Sequence, residues 1–435
     1  MMSALYSAVS GMKSQTIGLN NIANNIANVN TTGYKSQRTT FSDLLSQMIK
    51  GASSPTANSG GSNPSQIGSG VGVAGTSINM SPGSNQYTGV STDVAISGDG
   101  FFVVSNGDGT YSYTREGDIT WDKNGNLTIG GKEVCGWMKK DANGNTITSG
   151  QPEPINIFAD EYVGNKKTMA AKQSTKADYS GVLNSSKKAQ GTALDNIGQT
   201  PATPDATTSV TYYDAQGNAY NVTRNWYKCY TDNTDPDNPV TSWYYEDTCT
   251  NGTVSPANGY VQFDKDGQLT SPAAPTVQTV TPGNGIGTAP FTVNSDVSKI
   301  TTANNSSGVS AAQDGYASGS LNGIGFNEKG EVIGTYSNGQ KQTLGQLALG
   351  TFINPAGLEK TGNNLYRESA NSGSANYYAA GDGGTSELAN SCLEMSNVDL
   401  AQEFSSMMIT QRAYQANSKV ISTSDEMLQS LINMK

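Results

Sequence analysis

Apolar residues recur with a helical period only at the two ends of this chain, and that placement constrains the fold more than anything between them. From the start, Leu5, Val9, Met12, Thr16, Leu19, Ala23 and Ile26 alternate spacings of four and three. That is the a/d seam of a coiled coil. A helix from about Ser3 to Ala27 would run roughly 37 Å. The Asn-Thr-Thr-Gly run at 30–33 offers a stop, with Gly33 free to take a positive φ. At the other end Leu400, Phe404, Met407, Gln411 and Tyr414 keep the same spacing. Ile421, Leu428 and Ile432 continue that stripe, and Val420, Met427, Leu431 and Met434 form a second one beside it. Ser396 and Asp399 read as a capping box. No Gly or Pro interrupts 393–435, which predicts one helix roughly 55 Å long.

Helices this long and this apolar on one side do not stand alone in water. Within one chain each has only the other as a partner, so a segment at 1–30 is expected to pair with one at 393–435. A simple intramolecular pair is the plainer alternative, but it leaves the second C-terminal stripe wet. Further copies of the chain are the expected cover. The expected assembly interface is Leu5, Val9, Met12, Leu19, Ile26, Leu400, Phe404, Met407, Tyr414, Ile421, Leu428 and Leu431.

Between the ends the pattern is strand and turn. Residues 51–70 hold 11 Gly or Ser in 20 and read, within a connecting segment at 31–70, as a flexible linker or an extended arm. Five turns share one design: DKNGN at 122–126, DANGN at 141–145, DAQGN at 214–218, DKDGQ at 264–268 and NEKGE at 327–331. Each puts Gly where a hairpin needs positive φ. Asp122, Asn124, Asn126 and Glu133 imitate a calcium loop, but Leu127 stands where that loop requires Gly, so a hairpin is the expectation. Residues 160–315 change style, with Trp and Tyr clusters, much Thr and Pro-rich connections. They read as a β domain inserted between two halves of another, at 71–159 and 316–392. The expected fold is therefore mainly β and multidomain, with discontinuous nested β domains and terminal helices forming a coiled-coil inner domain.

Composition removes several function classes. Histidine is absent, and with it the commonest general base and the commonest transition-metal ligand. A formal charge of −10 without a Lys/Arg cluster argues against nucleic acid as a partner. The first residues lack a basic region followed by an apolar run, and no stretch approaches the roughly 18 apolar residues of a membrane span. Cys135, Cys229, Cys249 and Cys392 form no CxxC pair, so no metal site is expected. Cys229 and Cys249 flank the turn-rich run TDNTDPDNP. A local disulfide and two free thiols are both open there, and the off-centre turn favours the thiols. A secreted adhesin or glycan-binding protein, stacking sugars on the aromatics at 226–230 and 243–245, is a rival reading. The plainer one makes those aromatics strand core and cross-strand pairs. No enzyme activity and no cofactor are expected.

Four segments carry a resemblance. They are NNIANNIANVNTTGYKSQRTTFSDLL at 20–45, STDVAISGDGFFVV through YTREGDITWDKNGNLTIGGKEVCGW within 91–137, LGTFINPAGLEKTGNNLYRESANSG at 349–373, and the run from LEMSNVDLAQEF to the end, 393–435. Together they resemble the bacterial flagellar rod–hook family, and the large insertion at 160–315 resembles the hook group rather than the distal rod, which stands as the alternative. The resemblance implies a structural subunit that polymerises into the hook, the flexible tube that acts as a universal joint between rod and filament. It implies terminal helices lining an inner layer and β domains outside it. It also implies rod, hook-cap and hook–filament junction proteins as partners, with export by the flagellar type III apparatus, without a cleavable signal, to an extracellular site on the flagellum.

Overall fold

The computed structural model describes every residue except 1, 56–59, 142–145, 160–165, 191–202, 233–238, 284–288, 382–385 and 435. Helix α1 spans Met2–Ala27 and α2 spans Leu400–Asn433. α2 is shorter at its start than the expected 393–435, because residues Cys392–Glu394 are drawn into a strand and Asp399 caps the helix. The Asp399 carboxylate accepts from the amides of Ala401 and Gln402, satisfying two orphan donors of the first turn. The Ser396 hydroxyl accepts from the amide of Val398, outside the helix, rather than from an amide of its first turn.

The expected linker is a long antiparallel hairpin. β1 (Gln37–Asp43) pairs with β4 (Val71–Ile78), and β2 (Ser46–Lys50) pairs with β3 (Ser65–Gly68). A Ser53–Ser62 bridge extends the ladder toward the tip, and residues 56–59 lie outside the described ones. Gly and Ser here do not loosen the chain, because paired backbone amides hold it. Every residue of β2 and β3 is exposed.

The chain divides into two compact units. One comprises Met1–Lys166, Ile324–Gly334 and Gln342–Lys435; the other comprises Lys167–Gly323 and Thr335–Lys341. The second therefore runs past the expected 160–315 and takes back a short later segment. In the first unit, β5 (Asn85–Tyr87) pairs with Cys392–Glu394, and β6 (Val94–Gly98) pairs with Ser386–Asn390. β7 (Phe101–Ser105) lies between β8 (Tyr111–Thr114) and Lys132–Trp137. A core of Phe101, Val103, Tyr113, Trp137, Phe352 and Tyr366 closes over that sheet.

The second unit is a sandwich of two five-stranded sheets. Trp226, Trp243 and Tyr245 from one sheet meet Tyr179, Val293 and Ile300 from the other in one buried cluster. These aromatics are core, as the plainer reading expects. Tyr227, Tyr244 and Tyr260 form a cross-strand ladder, with ring centroids 6.1 and 5.3 Å apart. At the centre Asp247 receives both the Nε and the Nη2 of Arg224 at 2.7 Å, and the guanidinium lies 4.1 Å from the ring centres of Tyr179 and Tyr245. The strand Lys176–Asn184 pairs in parallel with Phe291–Ala303, an exception to the antiparallel rule. Cys249 faces Val222 across the ladder, and all four thiols are free.

Four of the five expected turns share one hydrogen-bond design. Asp122 Oδ1 accepts from the amides of Asn124 and Asn126, with Gly125 at φ +89°. Asp214, Asp264 and Asn327 do the same for the second and fourth amides after them. In the Asp122 loop the carboxylate is thus consumed by the turn itself. The DANGN turn falls on 142–145, and most of TDNTDPDNP on 233–238, both outside the described residues.

Candidate functional site

The two helices run antiparallel, Asn25 of α1 against Glu403 of α2 and Gly11 against Asn417. The fully buried positions of α1 are not those of the expected apolar seam, whose members stay half-buried or exposed. The side of α1 that is buried carries Ala8, Gly11, Ser14, Gly18 and Asn25. A Cβ at Gly11 would lie 2.8 Å from the Asn417 amide, and one at Gly18 would lie 3.3 Å from the Phe41 ring. Small residues let α1 fit closely between α2 and the hairpin. Ser14 Oγ donates to the Val71 carbonyl and Asn21 Nδ2 to Thr39 Oγ1.

The repeated Asn-Ile-Ala-Asn motif explains itself at this junction. The Asn25 side chain, 1% exposed, donates to the Gln37 carbonyl and to Glu403 Oε1. Its oxygen accepts from the Gln37 amide and the Tyr34 hydroxyl. A buried amide with all four hydrogen bonds made is a rigid clamp. Asn397 does the same on the other side, accepting from the Ser36 amide and donating to the carbonyls of Asn79 and Ser81.

Beneath these clamps lies a buried ionic node. Glu394 Oε1 receives Lys35 Nζ at 2.5 Å and the Gly83 amide at 2.8 Å, and its Oε2 receives Arg115 Nη1 at 3.1 Å. Lys35 also donates to the Ser81 carbonyl and Arg115 to the Gly98 carbonyl. Burial pushes the Lys35 ammonium below its usual range, and the adjacent Glu394 charge opposes that shift. Gly33 has φ +66°, and a Cβ there would lie 2.8 Å from the backbone of Arg115 and Glu116. Its freedom serves this close approach rather than a helix stop, since α1 ends at Ala27. The node thus ties the N-terminal segment, the β unit and the strand leading into α2.

Lys360 adds a further tie, donating to the Lys35 carbonyl with its ammonium 4.4 Å from the Tyr34 ring centre. Burial lowers it from 10.5 to about 8. A lysine lowered by folding is charged in the unfolded chain and neutral in the fold between those two values, so stability rises with pH across about 8 to 10.5. Thermal melts at pH 7.5 and 9.5 are expected to show this rise in the natural chain and a smaller one in Lys360→Met. Equal pH dependence in both would refute the assignment.

From this root the helices carry an open apolar face. Of the expected interface, Val9, Leu400, Phe404, Tyr414 and Leu431 are exposed, Phe404 by 50% and Leu431 by 52%. Leu5, Met12, Leu19, Ile26, Met407, Ile421 and Leu428 are half-buried. Met408, Ile409, Met427 and Ile432 add to the uncovered area. The sequence reading missed the small-residue seam and the polar root. A signal for the first was present: Ala8, Gly11, Ser14 and Gly18 are themselves spaced three and four apart.

Four family descriptions match the chain in order. "Flagella basal body rod protein" covers residues 5–35 and "Flagellar hook protein FlgE/F/G D1 domain" covers 95–151. "Flagellar basal body protein FlaE D2 domain" covers 182–316, and "Flagellar basal body rod FlgEFG protein C-terminal" covers 389–434. The chain is 35% identical to the flagellar hook protein FlgE of Treponema pallidum and 33% identical to that of Borreliella burgdorferi, over the full length of both partners in each case. It is 29% identical to the flagellar basal-body rod protein FlgG of Bacillus subtilis, again over both full lengths.

Proposed function

The chain belongs to the flagellar hook protein family, and from that premise we propose that its terminal helices carry the contacts that build the hook. It is a structural subunit of the hook, the tube that couples rod to filament. The observation that supports the assembly role is the set of large apolar side chains left in water along two helices that pack on each other by one side only. Such faces mark protein–protein contacts. The twelve interface residues named from sequence, together with Met408, Ile409, Met427 and Ile432, are the side chains that neighbouring copies cover.

The same premise supports the finer reading. The subunit is a non-enzymatic building block, leaves the cell through the flagellar export apparatus, and meets rod, cap and junction proteins at the two ends of the tube. Among the described residues no helix is long and apolar enough to cross a membrane. The distal rod is the second reading, kept in play by the full-length likeness to a rod protein. Electron microscopy of the native assembly separates the two: short curved tubes are expected, and straight rods would transfer the protein to the rod.

A free subunit must remain unpolymerised before export. The helices are therefore expected to order away from the root only on assembly. Hydrogen exchange on monomer should be fast over residues 3–20 and 405–433 and slow over 94–104 and 346–350. Strong protection of both helices along their length in monomer would contradict this.

A further inference from the structure

A groove of about 670 Å³ opens at the helix root. Its walls are α1, the β1–β4 base of the hairpin and the first turns of α2. Phe41 and Ile409 supply apolar surface there, 44% and 68% exposed. Asp399 and Glu403 supply two carboxylates one helical turn apart. Arg38 shares the lining, yet among the described residues no ion pair joins it to either carboxylate. Burial and the neighbouring Asp399 push the Glu403 carboxyl up, against the pull of its bond from Asn25. The groove thus holds two carboxylates against one cation.

The hairpin arm offers the complement. Its distal part leaves Leu44, Leu45, Met48, Ile49 and Ile67 more than half exposed. A two-stranded ribbon with nothing packed on it is marginal in water. The ladder skips a residue between Met48 and Lys50, which sets Ile49 beside Lys50 and next to the Gln47–Ile67 pair. Across residues 44–68 Lys50 is the sole charged side chain. It stands seven residues beyond Asp43, roughly 23 Å along the ribbon.

We propose that the groove seats the hairpin arm of a second copy, with Ile49 and Ile67 on Phe41 and Ile409, and Lys50 between Asp399 and Glu403. Arm and groove are different surfaces of one chain. The contact is therefore head-to-tail and repeats without closing, which yields a helical polymer. This rests on the assembly reading above and adds a specific pair of surfaces to it.

The test uses natural polymer, so no variant has to fold. A carbodiimide, which joins touching amines and carboxylates without a spacer, is applied to hooks and to monomer, followed by peptide mapping. The expected product links Lys50 to Asp399 or Glu403 in hooks and is absent from monomer. Lys50 linked to other carboxylates, unlinked while other interchain amides form, or linked identically in monomer would each overturn the proposal. The second measurement pairs Ile49→Cys with Ile409→Cys. Oxidised hooks are expected to give a ladder of covalent multimers, and the pair Ile49→Cys with Ile353→Cys, a cysteine at an exposed loop far along the chain, should give none. Normal hooks without a ladder would overturn the proposal alone, whereas a natural chain that forms no polymer at all overturns the assembly reading with it.

Discussion

Replacing both Phe404 and Leu431 by aspartate is expected to abolish polymer formation while leaving the β units folded. Each side chain is about half exposed in the single chain, so a monomer loses little when it is changed. In a polymer each is covered by neighbours, and burying a Phe or Leu stabilises by about 1.5–3 kcal/mol. The aspartates also bring charges that must be desolvated. Together these raise the concentration needed for assembly by at least about 100-fold, at roughly 1.4 kcal/mol per tenfold. Sedimentation and electron microscopy read the loss, and near-UV circular dichroism of monomer should be unchanged. Tubes forming at the usual concentration would show that this face is not the interface.

Glu394→Gln is expected to be the most damaging single change within the subunit, at about 3–5 kcal/mol. The carboxylate is buried between Lys35 and Arg115, whose side chains are 1% and 2% exposed. Neutralising it leaves two cations in the interior with no counter-charge. The exposed pair Arg367–Glu359, at 2.7 Å but more than half in water on both sides, gives the contrast. There Glu359→Gln should cost under about 1 kcal/mol. Urea denaturation of the two variants measures both, and similar losses would mean that the node is wetter than its geometry implies.

How far the sequence carried the fold depended on whether a contact was local. The turns were legible because Asp or Asn and Gly at fixed spacing impose their own hydrogen bonds, and Asp122, Asp214, Asp264 and Asn327 behave accordingly. The helices were legible from period. Their mutual packing was not, since Leu5 and Val9 look like a seam while Gly11 makes the close approach to α2. The roles of Asn25 and Asn397 were not legible, because their partners come together only in the folded chain. Flexible linker and extended arm both stayed open for 51–70 because Gly and Ser content reports on side chains, whereas Ser46–Lys50 and Ser65–Gly68 are joined through backbone. The ionic node was out of reach as well, its members being 359 and 279 residues apart in the chain.

That separation sets a timetable. A polypeptide that emerges N-terminus first can form the sandwich around Trp226 and Trp243 while much of the rest is still inside a ribosome or a narrow conduit. It cannot seal its own base until residue 394 is free, because Lys35 and Arg115 have no counter-ion before then. Contacts of such high sequence separation close slowly and late. The last step of folding is therefore also the step that aims both helices, so a chain still in transit has no finished root from which to recruit a neighbour.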